Sequence, residues 1–247
     1  MAQSKPNGFI LYEGKSLIDG QTDIVCIVTG IRRASGNAKT GAMVQSWVLV
    51  QDQKPVDAIK CGADAAVCGN CIHRGIDGKK RSCYVNVGQA PQSVWKAYRA
   101  GRYPTYSADP KEHTRLLAGK HLRIGSYGDP AAVPVDLWQL MLRKVSGHTG
   151  YTHQWSNPAF EAFQGFLMAS ADDSETMLDA YVKGWRTFRV LKPGETRHHG
   201  LLNAEISCPA DYISCDKCRK CAGADHGHFN VCIPVHGSGA THFRAEK

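Results

Sequence analysis

The sequence predicts an α/β protein with a partial or full βα barrel-like core, an N-terminal β hairpin and two cysteine-rich loops. Three observations carry this expectation. From residue 115 onward, apolar β-branched stretches alternate with amphipathic ones, the pattern of βα units around a parallel sheet. Open doubly wound sheets share that pattern. Polar residues, however, collect just after successive strand-like stretches, where the loops of parallel α/β folds converge. Two cysteine sets also share the opening spacing Cys-x6-Cys-x2-Cys.

Residues 1–60 read as an N-terminal β segment. The stretches DIVCIVTGI and AMVQSWVLVQ are rich in β-branched and aromatic residues, and the basic, turn-rich RRASGNAKTG joins them as a long-looped hairpin. GNAKTG is not a phosphate loop, because Lys39 does not directly follow the second glycine. Arg32, Arg33 and Lys39 remain candidate phosphate contacts. Residues 61–114 hold the first cysteine-rich loop and a helix, APQSVWKAYRAG, with Pro91 near its start and Gly101 at its end.

Residues 115–247 read as the βα core, ending in the second cysteine-rich loop. HLRIGSYGDP gives a strand and turn, PVDLWQLMLRKVSG an amphipathic helix, and TGYTHQW a strand. NPAFEAFQG gives a short helix with Asn157 as its cap, and FLMAS the next strand. DDSETMLDAYVKG is a helix with acids at its start, followed by the strand WRTFRVLK. LLNAEIS is a further strand, the last expected, and runs into Cys208.

The strand ends nominate a site. Asp129 and His153 form a candidate acid/base or ligand-binding pair, with Ser126, Tyr127 and Trp155 as candidate substrate contacts. Asp172 and Asp173 also follow a strand, and helix capping accounts for at least one of them.

Ten cysteines in a chain with no apolar leader point to a reducing, cytoplasmic setting, where clustered thiols bind metal or do redox chemistry. The first set is Cys61, Cys68, Cys71 and Cys83; the second is Cys208, Cys215, Cys218 and Cys221. The compact Cys-x2-Cys-x2-Cys of the second set is ferredoxin-like and favours [4Fe–4S] over zinc. The longer spacing of the first suits zinc or [4Fe–4S] equally. Cys26 reads as a buried structural thiol, and Cys232, with His226, His228 and His236, as an alternative ligand source. Lys79, Lys80, Arg81, Lys217, Arg219 and Lys220 flank or interleave the sets, offsetting thiolate charge or presenting a basic ridge to phosphates. The net charge of +8 favours a nucleic-acid partner, and no apolar run approaches the roughly 18 residues of a membrane span.

The elements SCYVNVG, CPA followed by three further cysteines, and IPVHG resemble cysteine-rich phage and mobile-element proteins of the mycobacteriophage gene product 88 type. That resemblance implies a phage or plasmid setting, hence host cytoplasm, and a βα-barrel-like core. The Cys-x3-Cys-x2-Cys hallmark of radical S-adenosylmethionine enzymes and the Cys-x-Cys-x2-Cys of guanine transglycosylases are absent. The leading expectation is a metal–sulfur enzyme that modifies a base in nucleic acid or a nucleotide. The alternatives are a non-catalytic nucleic-acid-binding protein stapled by zinc, and a two-cluster electron-transfer or redox-sensing protein.

Overall fold

A computed structural model describes residues 5–75, 80–200 and 204–243. Lys79 and the opening of LLNAEIS lie outside these described residues. Strands β1 (Gly8–Lys15), β2 (Asp23–Thr29) and β3 (Val44–Val50) pair antiparallel in chain order. Every residue of β3 is buried, which explains the unbroken apolar run Trp47-Val48-Leu49-Val50 that follows polar Gln45 and Ser46. Three helices follow: α1 (Pro55–Cys61), α2 (Ala65–Cys68) and α3 (Ala90–Arg99). Helix α3 buries Val94 and Trp95, and the Trp95 indole donates to the carbonyls of Val50 and Gln51, both at 3.2 Å. Helix α4 (Pro110–Leu117) starts on Asp109, whose carboxylate accepts from Glu112 N at 2.8 Å.

The parallel part begins with β4 (His121–Tyr127), which pairs with β3. Helix α5 (Val135–Leu142), β5 (Gly147–Thr152) and β6 (Met168–Ala171) come next. Helix α6 (Ser174–Val182) carries a full capping box between Asp173 and Thr176, and leads into β7 (Thr187–Leu191). Two strands close the chain, β8 (Glu205–Ser207) and β9 (Asn230–Pro234), with helix α7 (Cys215–Cys218) between them. All nine strands join one sheet in the order β1-β2-β3-β4-β5-β6-β7-β9-β8. No helix is long and apolar enough to cross a membrane.

The fold is therefore mixed α/β, as expected, but the sheet does not close: β1 and β8 are its two edges, so the full barrel is not formed. From β3 to β7 each parallel strand is added on the same side of the last. Right-handed crossovers advancing in one direction put their helices on one face of the sheet. LLNAEIS is not the last strand of the core either. β9 inserts between β7 and β8 and pairs parallel with both. Its sequence, NVCIP, sits in a His-rich tail that reads as a ligand segment rather than as a buried strand.

A buried ion pair fixes β8 to the sheet from one strand away. Arg189 Nε donates to Glu205 Oε1 at 2.8 Å and its Nη2 to Oε2 at 2.6 Å, with Arg189 1% exposed and the Glu205 side chain 0% exposed. Glu205 Oε2 also accepts from His198 N at 2.7 Å. Removing one partner strands the other charge, which costs about 3–5 kcal/mol. Glu205→Gln is thus expected to lower stability by about that amount in urea denaturation, whereas the exposed pair Lys15–Asp23 contributes at most about 1 kcal/mol when broken.

Candidate metal–sulfur cavity

Residues paired across parallel strands point to the same face, so register identifies one row: Tyr151 pairs with Met168, Ser170 with Phe188, and Val190 with Ile233. The Tyr151 and Phe188 rings touch on this face, with centroids 4.3 Å apart. Arg123, Tyr151, Ser170, Phe188, Val190 and Ile233 line a cavity of about 330 Å³. Both cysteine sets reach it, through Cys68, Cys71 and Cys83 on one side and Cys208 and Cys215 on the other.

The first set lies at the carboxyl ends of the strands. Gly128 makes this possible: its φ is +79°, and a Cβ there would sit 2.6 Å from Val48 O. The chain then turns so that Asp129 N donates to Val67 O, tying the end of β4 to α2 and Cys68. Burial comes first, then repulsion from Cys71 and Cys83, in pushing the Cys68 thiol well up. Burial likewise raises Cys83. Cys61 stands elsewhere. It is exposed at the last residue of α1, with Sγ 3.2 Å from Gln53 Oε1 and 3.6 Å from Ala58 O, off the cavity that the other three line.

The second set starts at Cys208, directly after β8, where Cys208 N donates to Cys232 O at 2.7 Å. It does not stay at the carboxyl ends. Gly150 N in β5 donates to Cys221 O, and a Cβ on Gly147, at the start of β5, would meet the Arg219 side chain at 3.3 Å. The loop therefore crosses the open face toward the amino ends. Burial, then the nearby thiols of Cys208, Cys215 and Cys218, push Cys221 up to about 12, while Tyr151 opposes them with a hydrogen bond. Arg123 bridges the sets: it donates to the Tyr84 hydroxyl, next to Cys83, and its charge lowers the pKa of Cys215 against burial.

Two clamps hold the second loop. Arg186, 7% exposed, donates to the carbonyls of Gly223, Lys220 and Phe229, at 2.8, 2.8 and 2.6 Å. The RRASGNAKTG loop supplies the other. Cys215 N donates to Lys39 O at 2.9 Å, and Ala42 N to Asp216 Oδ2 at 3.2 Å. Gly41, at φ +64°, lies where any Cβ would collide with the Asp216 carboxylate. The stretch that looked like a phosphate loop thus seats α7.

The expected pair Asp129 and His153 does come together, but through the backbone. Asp129 Oδ2 accepts from His153 N at 2.8 Å and Oδ1 from Ala131 N at 2.9 Å. Burial raises the pKa of this carboxyl, and those hydrogen bonds oppose the rise. The imidazole of His153 faces Asp172 instead, with Nε2 3.5 Å from Oδ1. Burial works against a charged His153, yet the Cys71 thiolate and Asp172 raise its pKa well above the ordinary value. Asp173 caps α6, which leaves the Asp172 carboxylate for this role.

Ser126, Tyr127 and Lys39 line the cavity. Ser126 Oγ, Tyr127 OH and both terminal nitrogens of Arg81 are buried without a hydrogen-bond partner among the described residues. Trp155 is instead 8% exposed and donates to Ser170 O at 3.1 Å, and Arg32 is paired with Glu112. Neither Trp155, Arg32 nor Arg33 lines the cavity. Sequence reasoning missed Arg123, Tyr151 and His73. A cation inside the apolar strand HLRIGSY was the available signal for Arg123. Cys26 and Cys232 are buried strand thiols, and burial pushes both up.

Comparison with family models, curated proteins and solved structures finds no match to this chain.

The two carboxylate bonds of Asp129 hold the ends of β4 and β5 together, and hydrogen bonds to a charged group contribute about 1.5–3 kcal/mol each. Asp129→Ala is expected to cost roughly 3–5 kcal/mol of stability, measured by denaturant unfolding. Loss of activity with unchanged stability would show that Asp129 acts in chemistry instead.

Proposed function

We propose that this protein is a metal–sulfur enzyme that acts on a nucleotide or nucleic acid, in base modification, with a [4Fe–4S] cluster on Cys208, Cys215, Cys218 and Cys221. The observation that carries this reading is one cavity bordered by both cysteine sets, with Arg123 between them. The donor set fits a cluster. Burial, with repulsion from neighbouring thiols, raises the pKa of Cys208, Cys215 and Cys221, so these thiols hold their protons until a cation displaces them. Sulfurs sharing one zinc, each about 2.3 Å from it, sit roughly 3.8 Å apart. Among the described residues no three cysteine sulfurs gather within 4.8 Å of one another. A cubic cluster takes each cysteine on a different iron and so accepts sulfurs set further apart than one zinc does. Such a cluster supplies electron transfer or a Lewis-acidic iron at the cavity wall.

The first set fits a metal with three cysteines, Cys68, Cys71 and Cys83, rather than four. Arg81 and Arg74 balance thiolate charge there, and Asp64 organises both, at 3.7 and 2.7 Å.

The nucleotide reading rests on size, charge and rings. About 330 Å³ suits a single nucleoside, not a duplex, so a base must leave its stack to enter. Lys39, Arg74, Arg81 and Arg123 line the space with positive charge for phosphates. Tyr84, Tyr151 and Phe188 offer faces for a base. Ser126 and Tyr127 bring hydroxyls to its edge.

Protein purified without oxygen is expected to be brown and to contain iron and sulfide. Cys218→Ser should remove one cluster's iron, whereas Cys61→Ser should remove none. A colourless protein holding only zinc would overturn the cluster and favour a zinc-stapled binding protein. Binding of single-stranded oligonucleotides across a salt series tests the substrate class. Arg123→Ala should weaken it at least about tenfold and reduce the salt slope by about one.

A further inference from the structure

The cavity carries a second kind of metal-ligating group that contains no sulfur. His73, His153 and Asp172 each offer one ligand atom, and the three atoms all lie within 4.8 Å of one another. They come from different parts of the chain: a 3-10 turn at Ile72–Arg74, the residue after β5, and the residue after β6. Their convergence is a product of the fold, not of local sequence. His153 Nε2 faces Asp172 Oδ1 at 3.5 Å. His73 Nε2, His153 Nε2 and Asp172 Oδ1 are buried and have no hydrogen-bond partner among the described residues.

We infer that His73, His153 and Asp172 bind a divalent first-row cation without a sulfur ligand, although Cys71 lies beside His153, with an open coordination position toward the cavity. The spacing agrees. Two ligands about 2.1 Å from a tetrahedral metal sit roughly 3.4 Å apart. His153 Nε2 and Asp172 Oδ1 are 3.5 Å apart, long for a hydrogen bond and right for a shared cation. Two imidazoles and one carboxylate make a donor set for zinc or ferrous iron. Three protein ligands leave room for a water or a substrate oxygen, the pattern of catalytic rather than structural metal.

Supporting contacts are built in as well. His73 Nδ1 pairs with Ser82 Oγ at 2.9 Å, and with Nδ1–H donating to that oxygen, Nε2 offers its lone pair to a cation. The Phe243 ring packs edge-on against His73, centroids 4.7 Å apart, and fixes the imidazole plane. His73 is 8% exposed, so its position is fixed within the cavity wall. Asp129 holds His153 by its main chain. Asp172 is released from helix capping by Asp173. Both histidines line the cavity beside Ser126 and Tyr127, so an oxygen bound to the cation faces the same space as the proposed substrate. The assignment does not rest on a cluster at the second cysteine set.

Zinc alone is the probe. The full-length protein, purified without oxygen, is equilibrated with zinc, desalted and analysed for zinc per chain and for zinc-edge X-ray absorption. His73→Gln and Asp172→Asn keep the size of each side chain, and melting curves confirm that both variants fold. Each is expected to lose one zinc per chain, with the dissociation constant raised more than about 100-fold. The zinc that is lost should show nitrogen and oxygen neighbours at about 2.0 Å and no sulfur at about 2.3 Å. Cys218→Ser should retain it. The inference is overturned if both folded variants hold as much zinc as the parent, or if the zinc they lose carries a sulfur shell. Iron and sulfide are measured on the same samples, so failure of the cluster reading is recorded separately.

Discussion

Because each parallel strand from β3 to β7 is added on the same side of the one before, the connecting helices are committed to one face of the sheet. On the opposite face, the second cysteine loop brings only the short helix α7 against β5. That face is covered by loops, and a loop that covers a sheet must bring partners for its backbone and a reason to stay. The RRASGNAKTG loop, the first cysteine loop and the second cysteine loop do this together. Each is tied to another or to the sheet: Cys215 N to Lys39 O, Asp129 N to Val67 O, and Gly150 N to Cys221 O. The cavity is the space these three loops enclose against the row of Arg123, Tyr151 and Phe188.

Charge sets the character of that space. Cys68 and Cys221 are pushed up by burial and by neighbouring thiols, so alone they are poor anions. Fixed arginines lie among them in different capacities. Arg186 is spent entirely on carbonyls and acts as a frame. Arg123 is shared between Tyr84 and the Cys215 thiol. Arg81 lies 3.7 Å from the Asp64 carboxylate, and neither of its terminal nitrogens makes a hydrogen bond among the described residues. Below the sheet, the Arg189–Glu205 pair anchors the edge strand from which the second set departs.

Much of this frame was legible in the chain. Strand stretches from HLRIGSY to WRTFRVLK match β4 to β7, because short stretches set between helix-like segments, with glycine and proline nearby, read as strands. Asp173, Asn157 and Pro91 announced helix starts through local geometry alone. Closure was not legible, since βα periodicity is the same in an open sheet and a barrel. β9 was hidden because its few residues, with Cys232 among histidines, resemble a ligand segment until the strands on both sides are known. Cys61 shows the limit of spacing arguments. It has the right separation from Cys68, but α1 carries it to the surface.

What the sequence by itself determined is local: which stretches extend, which coil, where helices start, and which residues have chemistry to offer. Those depend on side chains within a few positions of one another. Only the tertiary structure decided which of them meet. It sent Cys215 to Cys221 back across the open face, turned the Asp129 carboxylate onto a backbone N–H, and put His73 beside His153 and Asp172 from 80 or more residues away. The reason is geometric. Separation along the chain fixes no distance in space until strand order and crossover hand are set, and those are properties of the whole sheet.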